Sequence, residues 1–482
     1  MKSALRGLLS LYSWHYPTAI VYMLQNTEYS VGPYLRWFWQ TSHFERVMYR
    51  RTLEPTKAAR LLLLAVRVGM LVQILLGMGL IAASLRGGFT GGLAFGAALL
   101  LAYPVVWAHA AAVPIVLGRA FIVEPRQRRA VRASRAAFAN FKGAKIAVAG
   151  SYGKTSMKEL LLTVLGEGKK VAATPANKNV AISHANFVNR LHGDEDILII
   201  EYGEGEPGDV ARFARVTQPT HAVITGLAPA HLDKYKTVTA AGRDIFAVAS
   251  SVPASQVYIN SESPDALPFV RPGQQLYGEK YALGWKISGV RVNLDGTRFT
   301  MQKGKDKLQL ASGLLGRHQV GPLALVAALA IEFGLTKRQV EAGIAKTQPF
   351  EHRMQPYVLG GAWVIDDTYN GNVEGIRAGT QLLKELPGKR KIYVTPGLVD
   401  QGKDTARIHE TVGRLIAAAQ PDMVVLMKNS VTAFIQKGLE AANFKGELLI
   451  ETDPLNFYTN MQLFVATGDL VLMQNDWPDN YA

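Results

Sequence analysis

Two long uncharged stretches stand out near the start of the chain. Residues 68–85 and residues 91–118 carry no charged side chain, although Pro104 and Pro114 interrupt the second stretch. Each stretch approaches the roughly 20 residues that a helix needs to cross the hydrocarbon core of a bilayer. With only residues 86–90 between them, the two stretches predict an α-helical transmembrane hairpin. The prolines and the shortness of the first stretch favour one alternative, a pair of helices buried in a soluble core.

The basic residues of the chain are concentrated around this predicted hairpin. Residues 1–140 hold 16 Lys or Arg and four acidic residues, which is +12 of the formal net charge of +15, so the remaining 342 residues carry only +3. A basic excess on both outer sides of an apolar hairpin predicts cytoplasmic ends and an anionic membrane lipid as partner. We therefore expect a protein of the cell membrane whose other domains are cytoplasmic, and we expect no nucleic-acid partner.

A strand, a glycine turn and a helix follow this region in direct succession. Apolar residues 145–149 predict a buried strand, and residues 157–165 have a helical pattern. The connecting residues 150–156, GSYGKTS, would aim backbone N–H groups and the positive end of a helix at a phosphate. Lys154 would reach the β- and γ-phosphates of a nucleotide, and Thr155 would offer its hydroxyl to Mg²⁺. The loop is shorter than the full Walker A motif, so a chance glycine turn is the alternative.

Two more apolar runs end in side chains that bind metals. Residues 197–200 have the composition of a central parallel strand and lead directly into Glu201. This is the edge of a parallel sheet at which a nucleotide-bound Mg²⁺ needs an oxygen ligand. Residues 222–225 predict another strand, which leads to His231. A single histidine in such a loop is more often structural, so only its position after a strand of the same sheet favours a functional role.

The pattern as a whole predicts an α/β protein of several domains. A central P-loop-type parallel sheet and a C-terminal Rossmann-like doubly wound sheet would follow the hairpin, with a small antiparallel excursion at residues 281–310. The absence of cysteine excludes disulfides, thiolate metal sites and a cysteine nucleophile. The predicted segments are an aromatic and basic leader (1–60), the transmembrane hairpin (61–120), a basic linker helix (121–143), a central ATP-binding domain (144–316) and a C-terminal domain (317–482).

Seven short segments, in this order and spacing, resemble the Mur ligase family over residues 144–475, about two thirds of the chain. They are GSYGKTS (150–156), TPANKN (174–179), EYG (201–203) with Gly208 and Asp209 after it, ITG to AHLD (224–233), GRHQV (316–320), HRM (352–354) and DDTYNGN (366–372). The last segment is similar to the form found in the branch of the family that adds D-alanyl-D-alanine. The resemblance therefore points to that branch.

The resemblance implies an ATP- and Mg²⁺-dependent ligase of peptidoglycan precursor synthesis. The carboxylate of a muramoyl stem peptide would attack the γ-phosphate of ATP, and the amine of D-alanyl-D-alanine would displace phosphate from the resulting acyl phosphate. Domain closure would exclude water and protect that intermediate from hydrolysis.

The family's functional residues transfer to matching positions of this chain. The implied catalytic residues are Lys154, Glu201 and His231, and the implied Mg²⁺ ligands are Thr155, Glu201 and His231. The implied ATP site comprises Gly150, Ser151, Gly153, Lys154, Thr155, Ser156, Gln319, Arg353 and Asp367. The implied substrate site comprises Thr174, Asn177, Asn179, Tyr369 and Asn370.

Three features depart from the family's pattern. Many members of this branch carry a carbamylated lysine on the helix after the AHL segment, whereas residues 238–246 contain no lysine, which leaves Asp244 as one candidate replacement. Tyr152 places an aromatic ring inside the phosphate loop, where the sequence offers no role for it. The region that binds a UDP-sugar in the family is occupied here by the hairpin, so a lipid-linked precursor or a different peptide stays open as the carboxylate substrate.

Three other functions compete with the D-alanyl-D-alanine ligase. A polyglutamate-type ligase would share the ATP site and differ in its amine and carboxylate. A membrane-associated transport or motor ATPase would hydrolyse ATP without an amine acceptor and would have no use for residues 366–372. A scaffold that binds nucleotide without turnover fits the missing lysine, and it is opposed by the intact Lys154, Thr155, Glu201 and His231.

Overall fold

The computed structural model describes residues 10–27, 29–41, 53–88, 90–176, 178–228, 232–369, 371–398, 401 and 404–475. These residues form two compact units, Met1–Arg129 and Ala130–Ala482. Helices build the first unit, and two sheets with their flanking helices build the second. The predicted α/β class is confirmed.

The first unit contains the predicted pair of apolar helices. Its helical segments are α1 (Tyr16–Asn26), α2 (Val31–Gln40), α3 (Lys57–Leu85), α4 (Gly92–Ala110), α5 (Val113–Gly118), a π-helical turn (Arg119–Val123) and α6 (Glu124–Asn140), which extends into the second unit. Tyr16 and Tyr34 of the aromatic leader are fully buried, whereas Trp14 and Trp39 are exposed. The leader thus supplies both a packing face and exposed aromatic rings.

Small residues and one amide hold α3 and α4 together. A Cβ atom on Gly96 would lie 2.5 Å from the carbonyl oxygen of Gly77, so the two backbones approach closely only because both positions are glycine. The Gln73 side chain accepts a hydrogen bond from the Trp107 indole at 2.9 Å and donates one to the Leu99 carbonyl at 3.1 Å. The packing of α3 against α4 is therefore specific.

The outer surfaces of these two helices are apolar and exposed. Both helical spans, Lys57–Leu85 and Gly92–Asn140, are long and apolar enough to cross a membrane, and only 17% and 22% of their most apolar windows are buried. Leu61 and Leu101, for example, are 68% and 69% exposed. Helices buried in a soluble core would bury these side chains, so the exposure argues against that alternative. The membrane placement stays a prediction.

The first sheet of the second unit has ten strands in the order β10-β9-β8-β7-β6-β5-β4-β1-β3-β2. Strands β1 to β6 pair in parallel, and β6 to β10 pair antiparallel, which places the predicted antiparallel excursion within the same sheet. The strands are β1 (Ala144–Ala149), β2 (Val171–Ala173), β3 (Ile197–Glu201), β4 (His221–Ile224), β5 (Val257–Asn260), β6 (Gln275–Tyr277), β7 (Tyr281–Ala282), β8 (Trp285–Asn293), β9 (Gly296–Lys303) and β10 (Asp306–Ser312).

Helices cover both faces of this sheet and bury its strands. They are α7 (Lys154–Leu165), α8 (Ala181–Val188), α9 (Asp209–Thr217), α10 (Leu232–Tyr235), α11 (Val238–Ile245), α12 (Val320–Glu332) and α13 (Lys337–Ala345). α12 and α13 contribute Leu323, Val340 and Ile344 to the core that also contains Leu160 and Ile199. The helix pair therefore packs on the central sheet, although the predicted domain boundary after residue 316 separates it from that sheet.

The second sheet has six strands in the order β11-β12-β16-β13-β14-β15. Its strands are β11 (Gln355–Leu359), β12 (Ala362–Asp367), β13 (Lys391–Thr395), β14 (Met423–Met427), β15 (Glu447–Glu451) and β16 (Leu470–Gln474), with helices α14 (Val373–Glu385), α15 (Thr405–Ala419), α16 (Thr432–Ala441), α17 (Pro454–Thr459) and α18 (Met461–Phe464). Five strands are parallel, as predicted. The sequence did not indicate β11, which pairs antiparallel with β12 at the edge of the sheet.

Candidate active site

The glycine turn after β1 has the geometry of a phosphate-binding loop. Gly150 and Gly153 have φ angles of 147° and 73°, in the region that favours glycine. A Cβ atom on Gly150 would lie 2.2 Å from the Thr225 hydroxyl, so a larger residue would clash there. The Ser151 N–H donates to the Gly226 carbonyl at 2.9 Å, which ties the loop to the end of β4. α7 begins at Lys154, so Thr155 and Ser156 lie in its first turn.

Tyr152 fixes the same loop from its other side. Its ring packs on Gly226, where an added Cβ atom would lie 2.2 Å from the ring. Burial raises the pKa of Tyr152 to about 12, and a hydrogen bond with Ser263 partly offsets this effect. The absence of a side chain at Gly226 leaves room for the tyrosine ring. The aromatic residue in the loop therefore has a structural role that the sequence did not reveal.

Glu201 stands at the end of β3 with polar groups around it. Its Oε1 atom accepts hydrogen bonds from the Thr155 hydroxyl at 3.1 Å and from the Asn179 amide at 3.2 Å. Its backbone N–H donates to the Thr174 hydroxyl at 3.1 Å. Among the described residues no hydrogen bond reaches the buried Oε2 atom, and the Lys158 ammonium lies 3.5 Å away from it. Glu201 thus keeps one carboxylate oxygen for a further ligand.

Lys158 is a second, fully buried lysine at this site. Its ammonium donates to the carbonyl of Thr174 at 3.0 Å and to that of Ala176, and it forms an ion pair with Glu159 at 3.1 Å. Because Lys158 follows Lys154 by one helical turn, both lysines point from α7 toward the same strand ends. Lys158 supplies the positive charge that a buried Glu201 carboxylate requires.

The ammonium of Lys154 is paired with a carboxylate that the sequence did not single out. It donates to the Gly150 carbonyl at 2.5 Å and to Oε1 and Oε2 of Glu204 at 2.9 and 2.7 Å. Both side chains are largely buried, with 12% of Lys154 and 6% of Glu204 exposed. The charge of the loop lysine is therefore neutralised within the protein by Glu204.

A second cluster of predicted residues lies at the end of β12 in the C-terminal sheet. The Arg353 guanidinium stacks 4.4 Å from the centre of the Tyr369 ring. The Asp367 carboxylate accepts hydrogen bonds from the Gln474 amide at 2.7 Å and from the Met354 N–H at 3.2 Å. Burial raises the pKa of Asp367 to about 7, and the hydrogen bonds from Gln474 and Met354 partly offset this effect. The structure thus brings Arg353 and Asp367, predicted for the ATP site, together with Tyr369, predicted for the substrate site.

Gln319 is the residue immediately before α12. It takes part in none of the hydrogen bonds described above around Glu201 and Asp367. Its side-chain amide is 2.8 Å from Nε2 of His318. Burial lowers the pKa of His318 to about 4, so this imidazole is neutral at neutral pH. The neighbouring Arg317 bridges Glu279, at 2.5 Å, and Glu385, at 2.9 Å. This segment therefore joins the first sheet to α14 of the second.

The sequence of the central domain matches a known family. Residues 148–330 match the Mur ligase middle domain, a range that contains the glycine loop, Glu201 and Glu204. By this match, the central domain of the chain is a Mur ligase middle domain. This result confirms the family indicated by the sequence motifs.

This chain has relatives that share one name. It is 29% identical over 339 residues to the UDP-N-acetylmuramoyl-tripeptide–D-alanyl-D-alanine ligase of Escherichia coli (strain K12), which covers 68% of this chain and 72% of the relative. The enzyme of the same name from Mycobacterium leprae (strain TN) is 28% identical over 364 residues, which covers 68% and 70%.

Solved structures of Mur ligases share the fold. MurF from Acinetobacter baumannii has a TM-score of 0.64 at 18% identity, with 72% of this chain and 77% of that chain covered. MurF from Thermotoga maritima in complex with ADP has a TM-score of 0.63 at 21% identity, with 73% and 80% covered. At these identities the likeness shows the fold alone.

Several predicted site residues lie outside the described residues. They are His231, Asn177 and Asn370. Asp244, the candidate replacement for the missing lysine, is described: its two oxygens accept from the Gly208 N–H at 2.9 Å and from the Tyr235 hydroxyl at 2.8 Å. Both oxygens are therefore engaged within the protein, and Asp244 ties α11 to the start of α9.

The structure also identifies site residues that the motifs did not reveal. Lys158 lies one helical turn after Lys154, and Glu204 lies three positions after Glu201. These spacings were the signals available in the sequence. Gln474, at the end of β16, donates a hydrogen bond to the Asp367 carboxylate. Thr174, predicted to bind substrate, is buried and supports the backbone of Glu201.

Proposed function

We propose that this Mur ligase joins D-alanyl-D-alanine to a muramoyl stem peptide in an ATP-dependent reaction. The arrangement of Lys154, Thr155 and Glu201 around the glycine loop is the observation that carries this proposal, because it provides a phosphate cradle, a cation and a metal ligand in one place. The named relatives support the choice of substrates.

The residues present fit ATP and Mg²⁺. The backbone of the glycine loop and the start of α7 would cradle the phosphates, and Lys154 would neutralise them. Thr155 and Glu201 would hold Mg²⁺, because the buried Oε2 atom of Glu201 has no hydrogen bond among the described residues. Bound Mg²⁺ would supply electrostatic stabilisation of the transferred phosphoryl group. His231 is proposed as a further ligand on the family resemblance alone.

The chemistry requires positioning and charge stabilisation rather than a protein nucleophile. The substrate carboxylate attacks the γ-phosphate, which forms an acyl phosphate and releases ADP. The amine then attacks the acyl carbon and displaces phosphate, which forms the amide bond. Asn179 would line the acceptor side beside Glu201. Arg353 and Asp367 would bind ATP from the C-terminal sheet, and their approach on closure would exclude water.

We also propose that α3 and α4 span the cell membrane with both ends in the cytoplasm. Their exposed apolar side chains support this placement. Basic residues flank the hairpin on both outer sides, for example Arg60 and Arg126, whereas the turn between the helices contains only Arg86. The ligase domains would then work at the cytoplasmic surface.

A coupled assay with the detergent-solubilised full chain tests the reaction. It contains ATP, Mg²⁺, UDP-N-acetylmuramoyl-tripeptide and D-alanyl-D-alanine, and mass spectrometry reads the product. We expect ADP and a product equal to the two substrates joined with loss of water, and no product from Lys154→Ala. ADP release that requires a different amine would retain the ligase and replace the substrate. ADP release that ignores every amine would identify an ATPase.

Membrane extraction tests the placement of the hairpin. A protein held only by its basic surface is released by high salt, whereas a protein with spanning helices needs detergent. We expect the full chain to stay in the membrane pellet in high salt and alkaline carbonate. Its release by salt alone would contradict the membrane proposal and would leave the ligase proposal unaffected.

A further inference from the structure

Arg353, which the proposed function assigns to ATP, lies between two residues with left-handed backbone conformations. His352 has a φ angle of 58° and Met354 has a φ angle of 48°. Residues other than glycine adopt such angles uncommonly, because the Cβ atom crowds the backbone. The Arg353 N–H closes this turn by donating to the Phe350 carbonyl at 3.0 Å. Unfavourable conformations on both sides of one arginine persist only where surrounding contacts hold them.

Two consecutive carboxylates at the end of β12 hold the residues on either side of Arg353. Nδ1 of His352 lies 2.7 Å from Oδ2 of Asp366. Since a carboxylate only accepts hydrogen bonds, the imidazole is the donor. The Met354 N–H donates to Oδ1 of Asp367 at 3.2 Å. The end of β12 therefore fixes the backbone before and after Arg353.

Asp366 also fixes the segment that carries the stacking partner of Arg353. Its Oδ1 atom accepts from the N–H of Thr368 at 3.1 Å and from the hydroxyl of Thr368 at 2.7 Å. The next residue, Tyr369, donates its N–H to the His352 carbonyl at 3.1 Å. The Arg353 guanidinium lies 4.4 Å from the centre of the Tyr369 ring. His352 and Asp366 thus determine where both members of this stack lie.

The surroundings of His352 give its bond to Asp366 more weight than its packing. Only 12% of the Asp366 side chain is exposed, whereas 50% of the His352 side chain is exposed. A carboxylate with little access to water depends on its protein donors, so their hydrogen bonds are strong. Nε2 of His352 lies 3.7 Å from the exposed Glu351 carboxylate, a contact that solvent and salt screen. The contribution of the imidazole therefore lies mainly in the bond to Asp366.

We propose that His352 is a positioning residue for nucleotide binding. By its bond to Asp366 it holds Arg353 in the orientation in which the guanidinium meets the bound nucleotide. The inference rests on the proposed function, which assigns Arg353 to ATP. His352 itself does not contact the nucleotide in this role, so its effect on affinity passes through Arg353.

Calorimetric titration of ADP and Mg²⁺ into the detergent-purified full chain measures this effect. His352→Gly removes the imidazole and keeps a backbone conformation that glycine adopts readily. We expect it to weaken ADP binding by about tenfold, the size expected for the loss of one hydrogen bond to a charged group. Asn443→Gly is the matched control, because it places glycine at another left-handed position, with a φ angle of 52°, after α16. We expect unchanged affinity in this control, and unchanged affinity in His352→Gly would overturn the proposal.

Two variants of equal size separate the hydrogen bond from the space that the imidazole fills. Asparagine and aspartate both tolerate left-handed conformations, and each places a polar atom on Cγ where histidine has Nδ1. We expect His352→Asn, whose amide donates to Asp366, to retain most of the wild-type affinity. His352→Asp sets a like charge against Asp366, so we expect it to bind ADP at least as weakly as His352→Gly. Equal affinity of the asparagine and aspartate variants would overturn the proposal.

A double-variant cycle tests whether His352 acts through Arg353. Arg353→Met removes the guanidinium, so we expect no further loss of affinity when His352→Gly is added to it. A further tenfold loss in the double variant would overturn the positioning role. Unchanged ADP affinity in Arg353→Met would overturn the assignment of Arg353 to ATP and this inference with it. A loss in Arg353→Met without a loss in His352→Gly would overturn this inference alone.

Discussion

Lys154 donates hydrogen bonds to both carboxylate oxygens of Glu204, so the cation of the phosphate loop is already paired within the protein. The pair is largely buried, and its charges are therefore poorly screened by solvent. A nucleotide phosphate must compete with Glu204 for this ammonium. Separating Lys154 from Glu204 therefore costs free energy when a nucleotide binds, and removal of the Glu204 carboxylate would remove this cost.

Glu204→Gln removes the competing charge. We expect the variant to bind ADP about tenfold more tightly than the wild type when no Mg²⁺ is present, because a bond to a charged group contributes about 1.5 kcal/mol or more. Isothermal titration calorimetry in the presence of a chelator measures this. Glu206→Gln, in the same loop, is the matched control. Weaker binding by Glu204→Gln would instead show that Glu204 contributes to the nucleotide complex.

Lys158→Met leaves the Glu201 carboxylate buried without its nearest cation. Breaking a buried ion pair in this way typically costs about 3–5 kcal/mol, so we expect Tm to fall by several degrees in a thermal unfolding experiment. Lys170→Met is the control, because its ion pair with Asp194 is exposed and screened, and we expect little change. Equal stability of Lys158→Met and wild type would contradict the role assigned to Lys158.

Asp367 makes the stability of the protein depend on pH. Burial raises its pKa in the folded state from 3.8 to about 7, so between these pH values the folded state holds a proton that the unfolded state releases. The contribution of Asp367 to stability therefore falls as pH rises from about 4 to 7, by about 4 kcal/mol at most.

Asp367→Asn removes this titration. We expect the difference in Tm between variant and wild type to shift in favour of the variant when pH is raised from 5 to 8. Scanning calorimetry at both pH values measures the shift, and comparing differences removes the titrations that both proteins share. A difference in Tm that does not change with pH would show that Asp367 is ionised throughout this range.

Gly96→Leu should separate α3 from α4. Its Cβ atom would lie 2.5 Å from the Gly77 carbonyl oxygen, and overpacking of this kind costs about 1–3 kcal/mol. Gly79→Leu is the matched control, because no atom lies within 4 Å of a Cβ added at Gly79. We expect only Gly96→Leu to lower the thermal stability of the detergent-solubilised protein. The same loss in both variants would show that the close approach of the helices is unimportant.

Much of the site was predictable because its parts are local in the sequence. The loop at residues 150–156 is framed by one strand and one helix, and the patterns of both are clear over a few residues. Glu201 was found because an apolar run ends at it. Lys158 and Glu204 were missed because helical patterning alone does not reveal which charged residue faces inward. Their role depends on the strand ends that the parallel sheet brings beside α7.

The sequence by itself determined the resemblance to the Mur ligase family, the α/β class, the strand and helix that frame the glycine loop, and the two apolar helices. These features depend on periodicity, glycine turns and short motifs, which act over neighbouring residues. Only the tertiary structure decided the pairing of Lys154 with Glu204, the packing of Tyr152 on Gly226, the placement of α12 and α13 on the central sheet and the antiparallel edge strand β11. Each of these depends on contacts between residues distant in sequence, whose free energy is set by packing and desolvation rather than by local backbone preference.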